Sequence, residues 1–396
     1  MYFYQIDNTL AAADLPGLPF EPAAPGTPSL FLTERGSGPV VFRATRSHHL
    51  TEPAGVRWLD DGNGPALDRP LTAVDPRHPR WRDALSFTAP KPGKKRVHLL
   101  AVGDVGGTLL TALKLLGGDC ISSIGIRDLN ENTVARWVTE MGQIAWPWDD
   151  DALPTVEAVP EDHLFDCDVF IFAATKAIPA VDSGVKDVRM AQFSANRPLV
   201  EHFAKQAREA RFSGLFMVLS DPVDPLCKAA WLASNTAPDG TLDHQGLLPE
   251  QVQGFGLGVM NARAAYFAKQ GPRFSSFLTE GRAFGPHGRG LVIANSIARY
   301  DDALSRELTE LVETANLQVR ELGFKPYVAP AVSSGAMQLL LTLRGGWHCS
   351  SVPLGGVWFG VKNRFTPQGL EMETLPLPEA LLTRLQETEA LLKTIV

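Results

Sequence analysis

Residues 97–110 read VHLLAVGDVGGTLL, and the change of character within them decides the architecture. Val97 to Val102 form a nearly unbroken apolar run ending at a glycine, which predicts a strand buried on both faces. The segment TLLTALKLLGG that follows has the apolar spacing of a helix stopped by its final glycines. A strand that turns directly into a helix presents unpaired backbone N–H groups and the positive end of the helix dipole. Glycine at such a turn lets a pyrophosphate come close. Gly103, Asp104, Val105, Gly106 and Gly107 are therefore the candidate cradle of a dinucleotide. Their spacing is G-x-x-G-G, not the full G-x-G-x-x-G, and a plain tight turn would use the same glycines.

The next strand-like run, SSIGIRD, ends at Asp128, 25 residues after Gly103. A carboxylate there would accept hydrogen bonds from an adenosine ribose and repel a 2′-phosphate, so NAD is the expected cofactor; Arg127 beside it keeps NADP open. NENTVARWVTEMGQI and VRMAQFSANRPLVEHFAKQAREA then read as helices, alternating with the strands DVFIFAAT and GLFMVLS. This alternation is the signature of a parallel sheet covered by helices. Upstream, residues 1–94 alternate short apolar runs with Pro- and Gly-rich punctuation, which predicts short strands and loops, and TAPKPGKK reads as a linker. Past Gly258, long helices around strands such as GVWFGVKN predict an α+β unit. The expected organisation is an N-terminal extension of unknown role (1–94), a dinucleotide-binding domain (95–258) and an α+β catalytic domain (259–396).

With 44% apolar and 20% charged residues the chain has the composition of a soluble globular protein. A net charge of -7, with no basic block longer than KPGKKR, gives no electrostatic reason to bind nucleic acid. No window approaches 18 uninterrupted apolar residues and the start shows no basic-then-apolar leader, so the expectation is a cytoplasmic protein with a small-molecule partner and no membrane. Cys120, Cys167, Cys227 and Cys349 are scattered, which suggests neither a disulfide framework nor a structural metal. His48 and His49 with Asp60 and Asp61 match no common metal spacing and read as solvated loop residues. Trp137, Trp146 and Trp148 read as core and surface fillers.

From residue 96 onward the signposts come in a fixed order: the Gly-rich turn, Asp128, DCDVFIFAAT, DVRMAQFSAN, SDPVD, GLGVMNAR, GPHGRG and SVPLGGVWFGVKNRF. In that order they resemble the L-lactate/malate dehydrogenase family. The resemblance implies a Rossmann-type parallel-sheet NAD domain followed by an α+β catalytic domain, hydride transfer between NAD(H) and a 2-hydroxy or 2-oxo acid, and a homodimer or homotetramer. Such a reduction needs a proton donor, a cation on the carbonyl and a cation on the carboxylate. The resemblance assigns these to His287 in GPHG, Arg189 at the start of RMAQFSAN, and Arg263 in NAR, whose planar guanidinium can make two parallel hydrogen bonds. Asn196, two helical turns after Arg189, falls on the same face and is expected to bind substrate.

Two positions depart from the family. Three residues before Arg263, where the family has an aspartate bonded to the catalytic histidine, stands Met260, and a thioether cannot accept a strong hydrogen bond. The family's SNPVD reads SDPVD, which predicts that Asp221 has taken over the carboxylate's work on His287; the bland alternative is that Asp221 caps a helix starting at Pro222. In the loop before Arg189, the arginine of malate enzymes is replaced by Ser183, next to Asp182, which disfavours a second substrate carboxylate and admits a polar or amino-bearing side chain. Two rival readings stay open: an NAD(H)-binding redox sensor that has lost turnover, and an NAD-dependent glycosidase using Cys227 and His287 as a metal pair.

Overall fold

The computed structural model describes residues 1–34, 36–87, 93–176 and 188–396, with Val188 and Arg189 described in their backbone alone. The first stretch holds β1 (Tyr2–Ile6), β2 (Thr9–Ala13), β3 (Glu21–Pro22), β4 (Leu30–Leu32), β5 (Val41–Arg46), α1 (Ser47–Thr51), β6 (Ala66–Val74) and α2 (Trp81–Phe87). Strands and helices then alternate: β7 (Lys95–Leu100), α3 (Asp104–Leu116), β8 (Ile121–Arg127), α4 (Glu131–Gly142), β9 (Thr155–Ala158), β10 (Val169–Phe172), α5 (Val188–Glu209), β11 (Leu215–Val218), α6 (Val223–Asn235) and β12 (Val252–Gly254). The last stretch carries α7 (Leu257–Ala268), α8 (Phe277–Glu280), β13 (Arg282–Phe284), β14 (Val292–Ala294), α9 (Asp302–Glu321), α10 (Met337–Leu343), β15 (His348–Leu354), β16 (Val357–Thr366), β17 (Gly369–Met372) and α11 (Glu379–Lys393).

Six strands lie parallel in the order β12-β11-β10-β7-β8-β9. The chain winds outward from β7 in one direction and then from β10 in the other, the doubly wound order of dinucleotide-binding folds, with a crevice at the carboxyl ends of β7 and β10. The central strands β10 and β11 are hydrophobic at every position, VFIF and LFMV, because helices cover both faces. Leu109, Leu110 and Leu113 of α3 pack on one face against Val97, Leu99 and Ile126. Val200 and Ala204 of α5 and Leu226 of α6 pack on the other against Phe170, Phe172 and Phe216.

The sheet does not stop there. β12 pairs antiparallel with β15, the strands β15 to β17 form a meander, and β17 pairs parallel with β5 of the N-terminal strands. Among the described residues fifteen strands thus form one sheet, with β13 and β14 as a separate hairpin. Phe42 and Trp58, ring centroids 4.7 Å apart, share an apolar cluster with Phe359, Leu381 and Leu385. Glu250, fully buried before β12, accepts the backbone N–H groups of Val40 and Val41, both at 3.0 Å. Burial pushes its carboxyl up to about 7 despite those two bonds.

One expectation is corrected. His48 and His49 are not solvated loop residues: they are buried in α1, with His49 Nε2 2.9 Å from the Trp58 carbonyl oxygen. Asp60 and Asp61 go elsewhere, to the backbone N–H of Gly62 and to Arg46. The expected linker overlaps residues 88–92, outside the described residues. Among the described residues no helix is long and apolar enough to cross a membrane.

Candidate active site

At the end of β7 the backbone of Ala101 takes a φ of +72°, a left-handed conformation that favours glycine, with its N–H bonded to the Arg127 carbonyl at 2.7 Å. Gly103 is the N-cap of α3, has no side-chain capping bond, and a Cβ placed on it would meet nothing within 4 Å. A Cβ on Gly106 would lie 2.0 Å from the Ala101 carbonyl oxygen, and one on Gly107 would lie 2.2 Å from the Trp137 ring. Ala101, Gly103 and Gly106 therefore occupy the three places of G-x-G-x-x-G, with alanine in the first. Gly106 and Gly107 serve helix packing, and Gly103 faces the open space where a pyrophosphate would lie. Trp137 is more than a filler, since its Nε1 donates to the Val102 carbonyl at 2.9 Å and braces this turn.

Asp128, just beyond β8, is held by two backbone N–H groups: Val102 to Oδ2 at 2.9 Å and Asn130 to Oδ1 at 3.1 Å. A carboxylate accepts about four hydrogen bonds, so positions remain for ribose hydroxyls. Arg127 is engaged by Glu161 at 2.9 Å. Asp104, at the dipole's positive end, is neutralised by Lys325 at 3.0 Å. This combination of open glycine, helix N-terminus and fixed acidic residue fits a dinucleotide cofactor.

His287 sits between β13 and β14 in a loop fixed from three sides. Gly285, at φ +82°, donates its N–H to the Gly360 carbonyl of β16 at 2.9 Å; Thr388 of α11 donates to the Gly290 carbonyl at 2.8 Å; and the His287 N–H reaches Asp224 Oδ2 at 3.1 Å. The histidine packs on the start of α7, where a Cβ on Gly256 would lie 2.5 Å from the His287 Cβ. Its ring Nδ1 is 2.9 Å from Asp221 Oδ1, with the histidine side chain 13% and the aspartate 48% exposed. Pro222, not Asp221, is the N-cap of α6, and no side chain caps it.

Two residues connect this pair to the fold. Asp224, fully buried in the first turn of α6, also accepts the Ser351 hydroxyl, and burial pushes its carboxyl up to about 6. It lies three positions past Asp221 in SDPVD, yet its contact with the histidine loop spans 63 residues and leaves no local sequence signal. Asn196 is fully buried: Oδ1 accepts the Lys176 N–H at 2.8 Å and Nδ2 donates to the Asp221 carbonyl at 2.8 Å. It thus ties the exit of β10 to the Asp221 turn from behind.

Arg263, half-buried on α7, donates to the Val312 carbonyl at 3.3 Å and lies against the Met260 sulfur at 3.7 Å. Met260 is buried in an apolar cluster with Leu308 and Val312. The Arg189 side chain, Asp182 and Ser183 lie outside the described residues. Cys227 is sealed in the cluster beneath α6, where burial pushes its thiol up, and no group of three or more metal-ligating side chains is present among the described residues.

No family model and no curated protein matches the chain. Solved structures do. A lactate dehydrogenase, MGS-M5, from a Medee basin deep-sea metagenome library aligns with a TM-score of 0.60 at 16% identity, over 76% of this chain and 98% of that one. The minor L-lactate dehydrogenase of Enterococcus mundtii, in a ligands-bound form, gives 0.60 at 18%, over 76% and 97%. The malate dehydrogenase of Archaeoglobus fulgidus, in complex with NADH, gives 0.59 at 17%, over 76% and 98%. The chain has the fold of the lactate and malate dehydrogenases, as its motif order implies.

Proposed function

We propose that this chain is a divergent NAD-dependent 2-hydroxyacid dehydrogenase, lactate dehydrogenase-like and not malate-selective. The observation that carries the proposal is the 2.9 Å contact between His287 Nδ1 and Asp221 Oδ1, beside the crevice of a doubly wound sheet. When bound, the nicotinamide supplies or takes up the hydride. With Nδ1–H donating to Asp221, Nε2 is the nitrogen that hands a proton to a 2-oxo oxygen or receives one from a hydroxyl. Asp221 is assigned the place of the carboxylate absent at Met260, fixing the ring and its tautomer. Arg263 is assigned to the substrate carboxylate and Arg189 to the carbonyl. Asn196, expected to bind substrate, is fully buried with both ends of its amide engaged and is assigned instead to positioning Asp221; Ser183 and Asp182 are assigned to a side-chain pocket without a second cation.

NAD is preferred to NADP because Asp128 would oppose a 2′-phosphate and Arg127 is engaged by Glu161. We also propose the division into residues 1–94, 95–258 and 259–396, and a homo-oligomeric assembly. The test is NADH oxidation against aliphatic, aromatic, dicarboxylic and amino-bearing 2-oxo acids, with His287→Asn alongside. Turnover of monocarboxylic acids that the variant loses is expected. A preference for oxaloacetate would overturn the selectivity, and NADH binding without turnover anywhere on the panel would overturn the enzyme.

A further inference from the structure

Where the N-terminal strands join the C-terminal ones, one set of charged side chains plays no part in the proposed reaction. Strand register brings Arg364 of β16 opposite Glu371 of β17, and Arg43 of β5 comes in from the other side. Glu371 Oε2 accepts from both, Arg43 Nη1 at 3.1 Å and Arg364 Nε at 2.7 Å. Glu373 likewise takes two cations, Arg282 Nε at 2.7 Å and Lys362 Nζ at 2.6 Å. The Trp347 ring joins the two groups, with the Arg364 guanidinium 4.4 Å and the Lys362 ammonium 5.4 Å from its centroid.

Four cations thus surround two carboxylates, an excess of two positive charges. None of the cations is fully in water: their side chains are between 22% and 33% exposed. The Arg43 Nε is buried and donates to nothing among the described residues, and of the Arg364 donors only Nε is bonded among them. The buried Arg43 Nε without an acceptor is costly, the unbonded Arg364 nitrogens are open to solvent and to a ligand, and a planar N–H fork matches the oxygens of a phosphate.

We propose that this face is a binding site for a small dianion of the phosphate type, held by Arg43 and Arg364 with Lys362. An occupant would bridge β5 to β16 and so clamp the N-terminal strands onto the rest of the sheet.

Thermal unfolding and calorimetric titration of the full chain with inorganic phosphate, against chloride at matched ionic strength, test this. A saturable rise in unfolding temperature is expected, with the dissociation constant weakened at least about tenfold in Arg364→Gln, the loss of one charge-assisted hydrogen-bonding partner. The same rise should persist in Arg263→Gln, which separates this site from the cation assigned to the substrate carboxylate. No saturable rise, or a rise that survives Arg364→Gln and disappears in Arg263→Gln, would overturn the proposal. Should Arg364→Gln not fold, Lys362→Met is read in the same way, since Arg282 still pairs Glu373. Saturable binding of succinate with none of phosphate would refute the phosphate assignment.

Discussion

A histidine that shuttles protons needs one ring nitrogen fixed by an acceptor and the other turned to substrate. Asp221 meets the first need from the turn before α6. Asp221→Asn keeps the shape of the side chain and loses the charge that fixes the tautomer. Turnover is expected to fall about 10³- to 10⁴-fold, the scale seen when such a carboxylate is neutralised. NADH affinity measured by fluorescence titration should stay the same, and unchanged turnover would refute the role. The substitution at 221 was legible because it stood out against a recognisable motif. Asp224 was not, because its meaning rests on a long-range contact. Ala101 was hidden for another reason: only its backbone φ shows that it fills a glycine's place. Left-handed backbone costs alanine roughly 1–2 kcal/mol, partly offset by the roughly 0.4–1 kcal/mol of extra unfolded-state entropy that glycine brings. Ala101→Gly should therefore leave stability in urea unchanged or raise it by up to about 1.6 kcal/mol.

At the scale of elements, α3 approaches β7 closely enough that its glycines act as spacers. Gly106→Ala would drive a methyl into the Ala101 carbonyl and push the helix from its seat. Overpacking of this kind costs about 1–3 kcal/mol. NADH binding is expected to weaken together with stability, and a fully stable variant with normal affinity would contradict the packing. The helices and buried strands of the doubly wound sheet were legible because apolar spacing dictates them directly. The π-helical stretch Pro330–Ala336 was not, yet its Ser334 accepts the Val259 N–H and donates to the Gly256 carbonyl, both at 2.8 Å. It thereby steadies the end of α7 on which His287 packs. No periodicity announces such a turn, since its bonds are to another element.

For the whole molecule, the sequence indicated short N-terminal strands but not that they extend the same sheet, because pairing partners are set by tertiary contacts. Glu250 is one seam of that union. Its carboxyl is raised to about 7 from a usual 4.5, so the folded state holds its proton more tightly than the unfolded chain does. That contribution is full below the usual value and lost as pH rises through about 7. Glu250→Gln cannot ionise, so the stability gap between parent and variant should narrow from pH 5 to pH 8; a widening gap in unfolding temperature would refute the buried, protonated state. Among the described residues the fifteen-strand sheet has two rims, and both are blunt: β3 is two residues long and includes Pro22, and β9 has four residues with Glu157 among them. The strands β1 to β6 thus act as a selvedge, closing off the flank of β17 where Leu370 meets Phe42. A chain begun at Lys95 would bare that flank as an open template, and its particle size in light scattering should grow with concentration where the full chain's does not.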